Sequence, residues 1–296
     1  MIERFKLLDV REMRVDLPPP IAGMYTLSPY VWKDNGVFRL LLRVVNRDDD
    51  PDKKVARIHY GEGASGIEFA VDSEPVIGPG PAADDLGGCE DPTLWFSDGN
   101  YWCYYTGWNP KARCALLLHA VGPDIHQLRK RGPVLPPSDI YQWSKEVTIA
   151  PVADGTWRLL FEYSHDERSK IGIASAAHPG GPWSYGEPSL FAREDRWDSW
   201  HLSTGPVIFL DNDEPIMFYN GATRDARWRI GWAAFNADFT RVTARGDEPL
   251  IDPGEVHGVD TDIAFAASAV AIDGDIFVYY SVSDRVLMRA TVRATR

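Results

Sequence analysis

An all-β fold, a five-bladed β-propeller with four-stranded blades, is what this sequence predicts, on three observations. One hairpin pattern recurs five times, a second pair of strands follows each copy but the last, and the chain ends one strand short. The hairpin turns fall at positions 36, 99, 155, 214 and 274, spaced by 63, 56, 59 and 60 residues. Self-similarity at a fixed period marks a repeat architecture, and about four strands per repeat make one blade.

The clearest copy runs from Cys89 to Gly107, where two aromatic, β-rich strands flank Asp98-Gly99. Asp-Gly between alternating apolar residues is the strongest short hairpin signal. The same layout spans residues 28–43 around Asn35-Gly36, 146–163 around Asp154-Gly155, and 268–281 around Asp273-Gly274. The fourth copy, 205–221, has Asp213-Glu214 at its turn. Each second strand pair finishes in Pro and aliphatic residues, at Pro75-Val76-Ile77, Pro133-Val134-Leu135, Pro188-Ser189-Leu190 and Pro249-Leu250-Ile251. After Val286 to Val292 the chain ends, so the fifth blade lacks its edge strand. The N-terminal segment Arg4 to Leu8 is expected to supply it, closing the ring and covering two open edges. The Pro/Gly-rich stretches Ile77 to Gly88 and Arg131 to Trp143 read as inter-blade loops, so residues 1–296 form a single domain. A pair of β-sandwiches is the competing architecture, because short, evenly spaced strands suit it too.

Composition narrows the function. The chain of 296 residues is 44% hydrophobic and 12% aromatic, enough for a large core, and its net charge of −12 argues against nucleic acid and anionic membranes. Three cysteines, Cys89, Cys103 and Cys114, lack metal-ligand spacing and cannot pair completely. Met1 to Asp9 has no apolar signal core, and no run approaches a membrane span. The expectation is a soluble, cytoplasmic protein without metal or cofactor.

Inner strands of a propeller run in one direction, so equivalent positions of the five hairpins surround one opening. Ser28, Asp91, Glu146, Gly205 and Ser268 start those strands. Arg43, Thr106 to Trp108, Glu162 with Tyr163, Asn220, and Ser283 with Asp284 end their partners, and the connector before the fourth hairpin adds Trp197, Trp200 and His201. Carboxylates, cations, amides and flat rings on one rim suit a carbohydrate. Each residue also has a plainer reading. Asp91 before Pro92 caps turns as readily as it donates protons. Arg43 pairs with any rim carboxylate, Glu146 and Glu162 solvate an edge, and His201 is an ordinary hydrogen-bonding histidine. The convergence carries the argument.

At these residues the sequence resembles glycoside hydrolase family 130, the propeller family of β-mannoside phosphorylases and mannosidases. Leu40-Leu41-Leu42-Arg43 is similar to that family's Leu-Leu-Tyr-Arg run, and Glu90-Asp91-Pro92 to its Glu-Asp-Pro, whose Asp is the general acid. Lys145-Glu146, Phe161-Glu162-Tyr163, Trp200 to Pro206, Phe218 to Gly221 and Tyr279 to Asp284 fall on further family segments. The arabinanase and invertase-like propellers share Ile171 to Ser175 and Gly181-Pro182-Trp183, but need an Asp where this chain has Ser28.

The resemblance implies inverting cleavage of a β-mannoside-type oligosaccharide. Asp91 is the expected acid, its pKa raised by burial beside Glu90, and Glu146 or Glu162 the base. In an inverting pair the two carboxyls stand roughly 6.5–9.5 Å apart. Arg43, Glu90, Asn220 and Asp284 are expected to hold sugar hydroxyls, and Trp108 or Trp200 to stack on a neighbouring ring. The family's phosphate ligands correspond here to Lys145, Tyr163 and His201, a weaker cradle than one with arginines. Phe265-Ala266-Ala267-Ser268 replaces the family's Phe-Pro-Cys-Gly. Water is therefore the expected nucleophile, with phosphorolysis by inorganic phosphate, or a sugar-binding propeller without catalysis, as alternatives. An interaction propeller would not cluster carboxylates on its rim.

Overall fold

Three of the predicted turns pair two left-handed residues: Asn35 (φ 49°) with Gly36 (83°), Asp98 (52°) with Gly99 (72°), and Asp273 (50°) with Gly274 (84°). A two-residue hairpin needs this conformation to match the twist of its strands, and Asn, Asp and Gly adopt it at least cost. The third hairpin turns through a wider loop, in which Val152 N donates to Thr156 O and Gly155 N to Val152 O. A computed structural model describes residues 4–210, 214–258 and 260–295. Of the fourth turn, read as Asp213-Glu214, Asp213 lies outside the described residues.

The chain is all-β apart from one short α-helix, Pro253–His257, and isolated 3-10 turns among the described residues. Strands pair antiparallel in chain order within the first, second, third and fifth sequence repeats. The second sheet holds Cys89–Ser97, Asn100–Asn109, Cys114–Gly122 and Arg129–Pro133, and the third holds Gln142–Pro151, Trp157–His165, Arg168–Ala176 and Ser184–Gly186. The last joins Ala264–Ile272, Asp275–Val282 and Val286–Ala294 to the N-terminal Phe5–Glu12, which lies antiparallel to Val286–Ala294.

Two repeats depart from the four-strand expectation. The first, Tyr25–Asp34 through Glu68–Ile77, gains a fifth strand, Arg14–Asp16, parallel to Glu68–Ile77. The fourth divides into two sheets, one starting at His201–Ser203 and one at Val207–Phe209. Between them lies Gly205-Pro206. Pro206 has no amide to donate, and a Cβ on Gly205 would lie 1.9 Å from the Phe218 carbonyl oxygen. The backbones approach so closely here that the ladder breaks.

Apolar side chains from successive repeats pack into five clusters. They are centred on Leu41 and Tyr105, Phe161 and Tyr104, Leu160 and Tyr219, Phe218 and Tyr280, and Leu40 with Tyr279. Polar side chains stitch the first strands together in the same sequence. Tyr30 donates to Leu94 O, Thr93 to Val147 O, Thr148 to Gly205 O, Asn220 to Ala266 O, and Ser268 to Pro29 O. Residues far apart in the chain are thereby held around common ground.

Candidate active site

The first strands of the first three repeats break register at equivalent points: Leu27/Tyr30, Glu90/Thr93 and Lys145/Val147. Within the breaks, Ser28, Asp91 and Glu146 adopt φ of 47°, 49° and 45°. A left-handed conformation costs a non-glycine residue about 1–2 kcal/mol. Three matching instances in one place are the kind of strain that active sites store. A bulge takes its side chain out of the strand's alternation and re-aims it. All three residues line one cavity of about 300 Å³, together with Arg43, Glu90, Lys145, Glu162 and Asp284, and Trp228 and Phe265 form part of its wall.

Arg43 joins two of the acids. Its Nη1 donates to Asp91 Oδ1 at 3.1 Å, and its Nη2 lies 2.8 Å from Glu90 Oε1. Ser28 Oγ donates to the same Asp91 oxygen at 2.6 Å. On the other side, Lys145 Nζ lies 3.4 Å from Glu162 Oε1, which also accepts from Ser169 Oγ at 2.7 Å. Glu162 is only 1% exposed, and its Oε2 has no hydrogen-bond partner among the described residues.

The proton sits where the sequence did not lead us to expect it. Burial pushes the Asp91 carboxyl up, but the Arg43 charge and the hydrogen bond from Ser28 outweigh it and hold Asp91 below its ordinary value. Glu146 is driven well above its own by burial and then by the Asp91 charge, and its carboxyl hydrogen-bonds to Asp91. Of the two carboxyls, Glu146 is therefore the one that favours its protonated form. Burial also raises Glu90 and Asp284. One earlier expectation falls here: Asp91 is not the carboxyl whose pKa rises.

Glu146 binds its proton more tightly folded than unfolded. Its contribution is therefore favourable at low pH and is lost as pH rises past the unfolded value of about 4.3 toward the raised folded one. Glu146→Gln cannot ionise, so its melting temperature relative to wild type should climb from pH 5 to pH 9. Parallel melting curves would show that Glu146 holds no unusual proton.

Arg43, Glu90, Asp91, Lys145, Glu146, Glu162 and Asp284 come together as anticipated. Others do not. Alternation along Trp157–His165 turns Tyr163 away from Glu162, into an aromatic cluster with Tyr141 and Phe161. Asn220 is fully buried and occupied, donating to Thr204 O and Ala266 O and accepting from Ala266 N. It has nothing left for a sugar. Ser268 sits one place past the break in its strand, which falls at Ala267, and stitches backbone instead. Trp200 lies outside the cavity, between the guanidinium groups of Arg168 and Arg224 at 3.7 and 4.8 Å. Trp108 packs edge-on against Trp143.

His201 stacks on Trp228, and its Nδ1 accepts from Ser169 N, which leaves the ring proton on Nε2. Burial lowers its pKa, and the charges of Lys145 and Arg168 press the same way. Arg168, which the sequence reading passed over, adds its charge near His201 while lining the neighbouring groove with Trp200. Trp228 was missed, as was Ser169, which holds Glu162 and His201, while Ser28 stood in the rim inventory and Phe265 in a family segment without a role in the site. Trp228 and Arg168 each open a third strand, a position that the hairpin pattern never inspects. Among the described residues no helix is long and apolar enough to cross a membrane, and no cluster of three or more His, Cys, Asp or Glu could hold a metal ion.

The profile of the family described as β-1,4-mannooligosaccharide phosphorylase, glycoside hydrolase family 130, matches residues 1–295. The chain belongs to glycoside hydrolase family 130. It is thus a glycoside-processing enzyme, as the Glu90-Asp91-Pro92 resemblance implied. This family-130 chain is 25% identical over 264 residues to a 1,2-β-oligomannan phosphorylase of Thermoanaerobacter sp. (strain X514), covering 86% of this chain and 85% of the relative. Among solved structures it is similar to a β-1,2-mannobiose phosphorylase from Listeria innocua in complex with β-1,2-mannobiose. The TM-score is 0.77 at 19% identity, over 98% of this chain and 91% of that one. A second solved structure, from work on glycoside hydrolases within the family of mannoside phosphorylases that target β-1,2 mannosidic linkages in Candida mannan, gives 0.77 at 22% identity. It covers 90% of this chain and 84% of that one. These structural likenesses establish a shared fold.

Proposed function

We propose that this family-130 enzyme cleaves a β-mannosidic bond by inverting phosphorolysis, with inorganic phosphate as the nucleophile. The observation that carries this reading is the basic flank of the cavity, where Lys145 Nζ stands 3.4 Å from Glu162 Oε1 and His201, close to both, keeps its proton on Nε2, a setting that suits a dianion. Phosphate needs no base to activate it. The proton held on Glu146 passes through Asp91 to the leaving glycosidic oxygen, and Glu146, left ionised, regains a proton from solvent after the products leave. A phosphate oxygen forms the new bond to the anomeric carbon as the old carbon–oxygen bond breaks. Inversion then turns a β-mannoside into α-mannose 1-phosphate.

The dianion enters beside Lys145, Arg168 and the Nε2–H of His201, which supplies the arginine that the sequence comparison found wanting. Arg43, Glu90 and Asp284 hold hydroxyls of the reacting sugar, and Trp228 and Phe265 give it apolar walls. The names of the similar phosphorylases support this choice. The five repeats act as the five blades of one propeller, a single domain closed by Phe5–Glu12, and the cycle of polar stitches supports that geometry. Three free thiols support a cytoplasmic setting.

One observation favours hydrolysis instead. Glu162 Oε2 is buried without a partner and offers a free acceptor for a water proton. Incubation with β-1,2- and β-1,4-mannobiose, with and without phosphate, separates the readings. Mannose 1-phosphate forming in a rate that saturates with phosphate is the expected result. Free mannose released at the same rate without phosphate would establish hydrolysis, and calorimetric binding without any product a sugar-binding propeller.

A further inference from the structure

Beyond the reacting centre, a second groove of about 370 Å³ lies along the same two strands. Lys145 and Glu162 line the cavity, while Gln142 and Ser164, paired with each other further along, line the groove. Two to three residues of strand separate them, about 7–10 Å. A substrate chain leaving the cavity along this strand pair would reach the groove within a short run of sugar rings.

The groove carries the chemistry of a sugar platform. Trp143 is 47% exposed, yet it stands at φ 54°, a conformation that a bulky residue seldom adopts. It sits in the register break between Gln142 and Lys145, beside Ser144, whose buried hydroxyl accepts from Leu117 N. The edge-on contact with Trp108, 6.2 Å between ring centres, props the indole from one side. Trp108 is itself anchored, since its amide donates to Gly88 O and its carbonyl accepts from Gly87 N. Around the ring, Gln142, His165, Asp166 and Glu167 supply acceptors and donors suited to hydroxyl groups.

We propose that the Trp143 groove is a distal sugar subsite, which makes the enzyme favour β-manno-oligosaccharides longer than a disaccharide. The proposal rests on the mannoside reading of the adjoining cavity. An amphipathic sugar ring places its C–H face on the indole and its hydroxyls on the polar side chains. The subsite acts on binding of the chain's far end and touches none of the reacting atoms.

The test compares β-mannobiose with β-mannotetraose in the wild type, Trp143→Ala and Trp143→Phe. The ratio of kcat/KM for the tetraose over the biose should fall about 3–10-fold in Trp143→Ala, the range expected for one aromatic contact, and return most of the way in Trp143→Phe. An unchanged ratio would overturn the subsite, including the case where Trp143→Ala alters only self-association in sedimentation. Direct binding keeps this test apart from the mannoside reading. In the Asp91→Asn background, β-mannotetraose should quench tryptophan fluorescence, and Trp143→Ala should weaken its affinity by the same factor. Binding that Trp143→Ala leaves untouched would overturn the subsite, whereas wild type that processes neither sugar, at any phosphate concentration, would sink the mannoside reading.

Discussion

Asp91→Asn lowers kcat on β-mannosides by about 10²–10⁴-fold, the usual worth of a positioned general acid, while thermal unfolding moves by only a few degrees. Asn is the right probe because it keeps the shape and the backbone. It tolerates the left-handed φ of 49° as well as Asp does, and its amide oxygen still accepts from Ser28 Oγ and Arg43 Nη1. What it cannot do is carry a proton from Glu146 to the glycosidic oxygen. A second consequence can be read separately. With the Asp91 charge gone, one of the forces holding Glu146 protonated disappears, so whatever activity remains should lose its alkaline limb at lower pH. Retained turnover would remove Asp91 from the proton path, and a collapse in melting temperature would mark its role as structural.

Arg43→Met should destabilise the protein by about 3–5 kcal/mol at neutral pH, roughly 10 °C in melting temperature, and abolish turnover. The guanidinium lies between Glu90 and Asp91, and the nearby carboxylates hold it firmly charged. Removing it leaves two largely buried carboxylates facing each other. The sign of the pH dependence follows from Asp91. Its carboxyl is held low in the folded state, so its stabilising contribution is present above the unfolded value of about 3.9 and is lost as pH falls through the folded one. Without Arg43 that contribution reverses, because burial now raises both acids. The deficit of the variant should therefore be large at pH 7.5 and shrink at pH 4.5, where the acids take up protons. Equal deficits at the two pH values would show that packing of the Arg43 stem, not its charge, is what matters.

Local chemistry explains why the hairpins could be read ahead of the structure. Asn35-Gly36, Asp98-Gly99 and Asp273-Gly274 are turns whatever surrounds them, since their left-handed pairs suit few other residues. The aromatic and β-branched runs on either side alternate with the strand period. The inner-strand inventory found most of the cavity for the same reason, since Arg43, Asp91, Glu146, Glu162 and Asp284 occupy matching places in their repeats. It failed where alternation or occupancy intervenes. Tyr163 follows Glu162 and so faces the opposite way, and Asn220 exhausts its amide on the backbone of the next repeat. Trp228 and Arg168 belong to third strands; Trp228 lines the cavity, and Arg168 lines the groove beside it.

From its sequence alone, this chain is an all-β repeat protein with a rim of acids, cations and rings, because turn chemistry and hydrophobic period are short-range properties. Only the tertiary structure decided which carboxyl is pushed up and which is held down. Ser28, Arg43, Asp91 and Glu146 come from three different repeats, and a pKa depends on charges within a few ångströms, however far apart the residues stand in the chain.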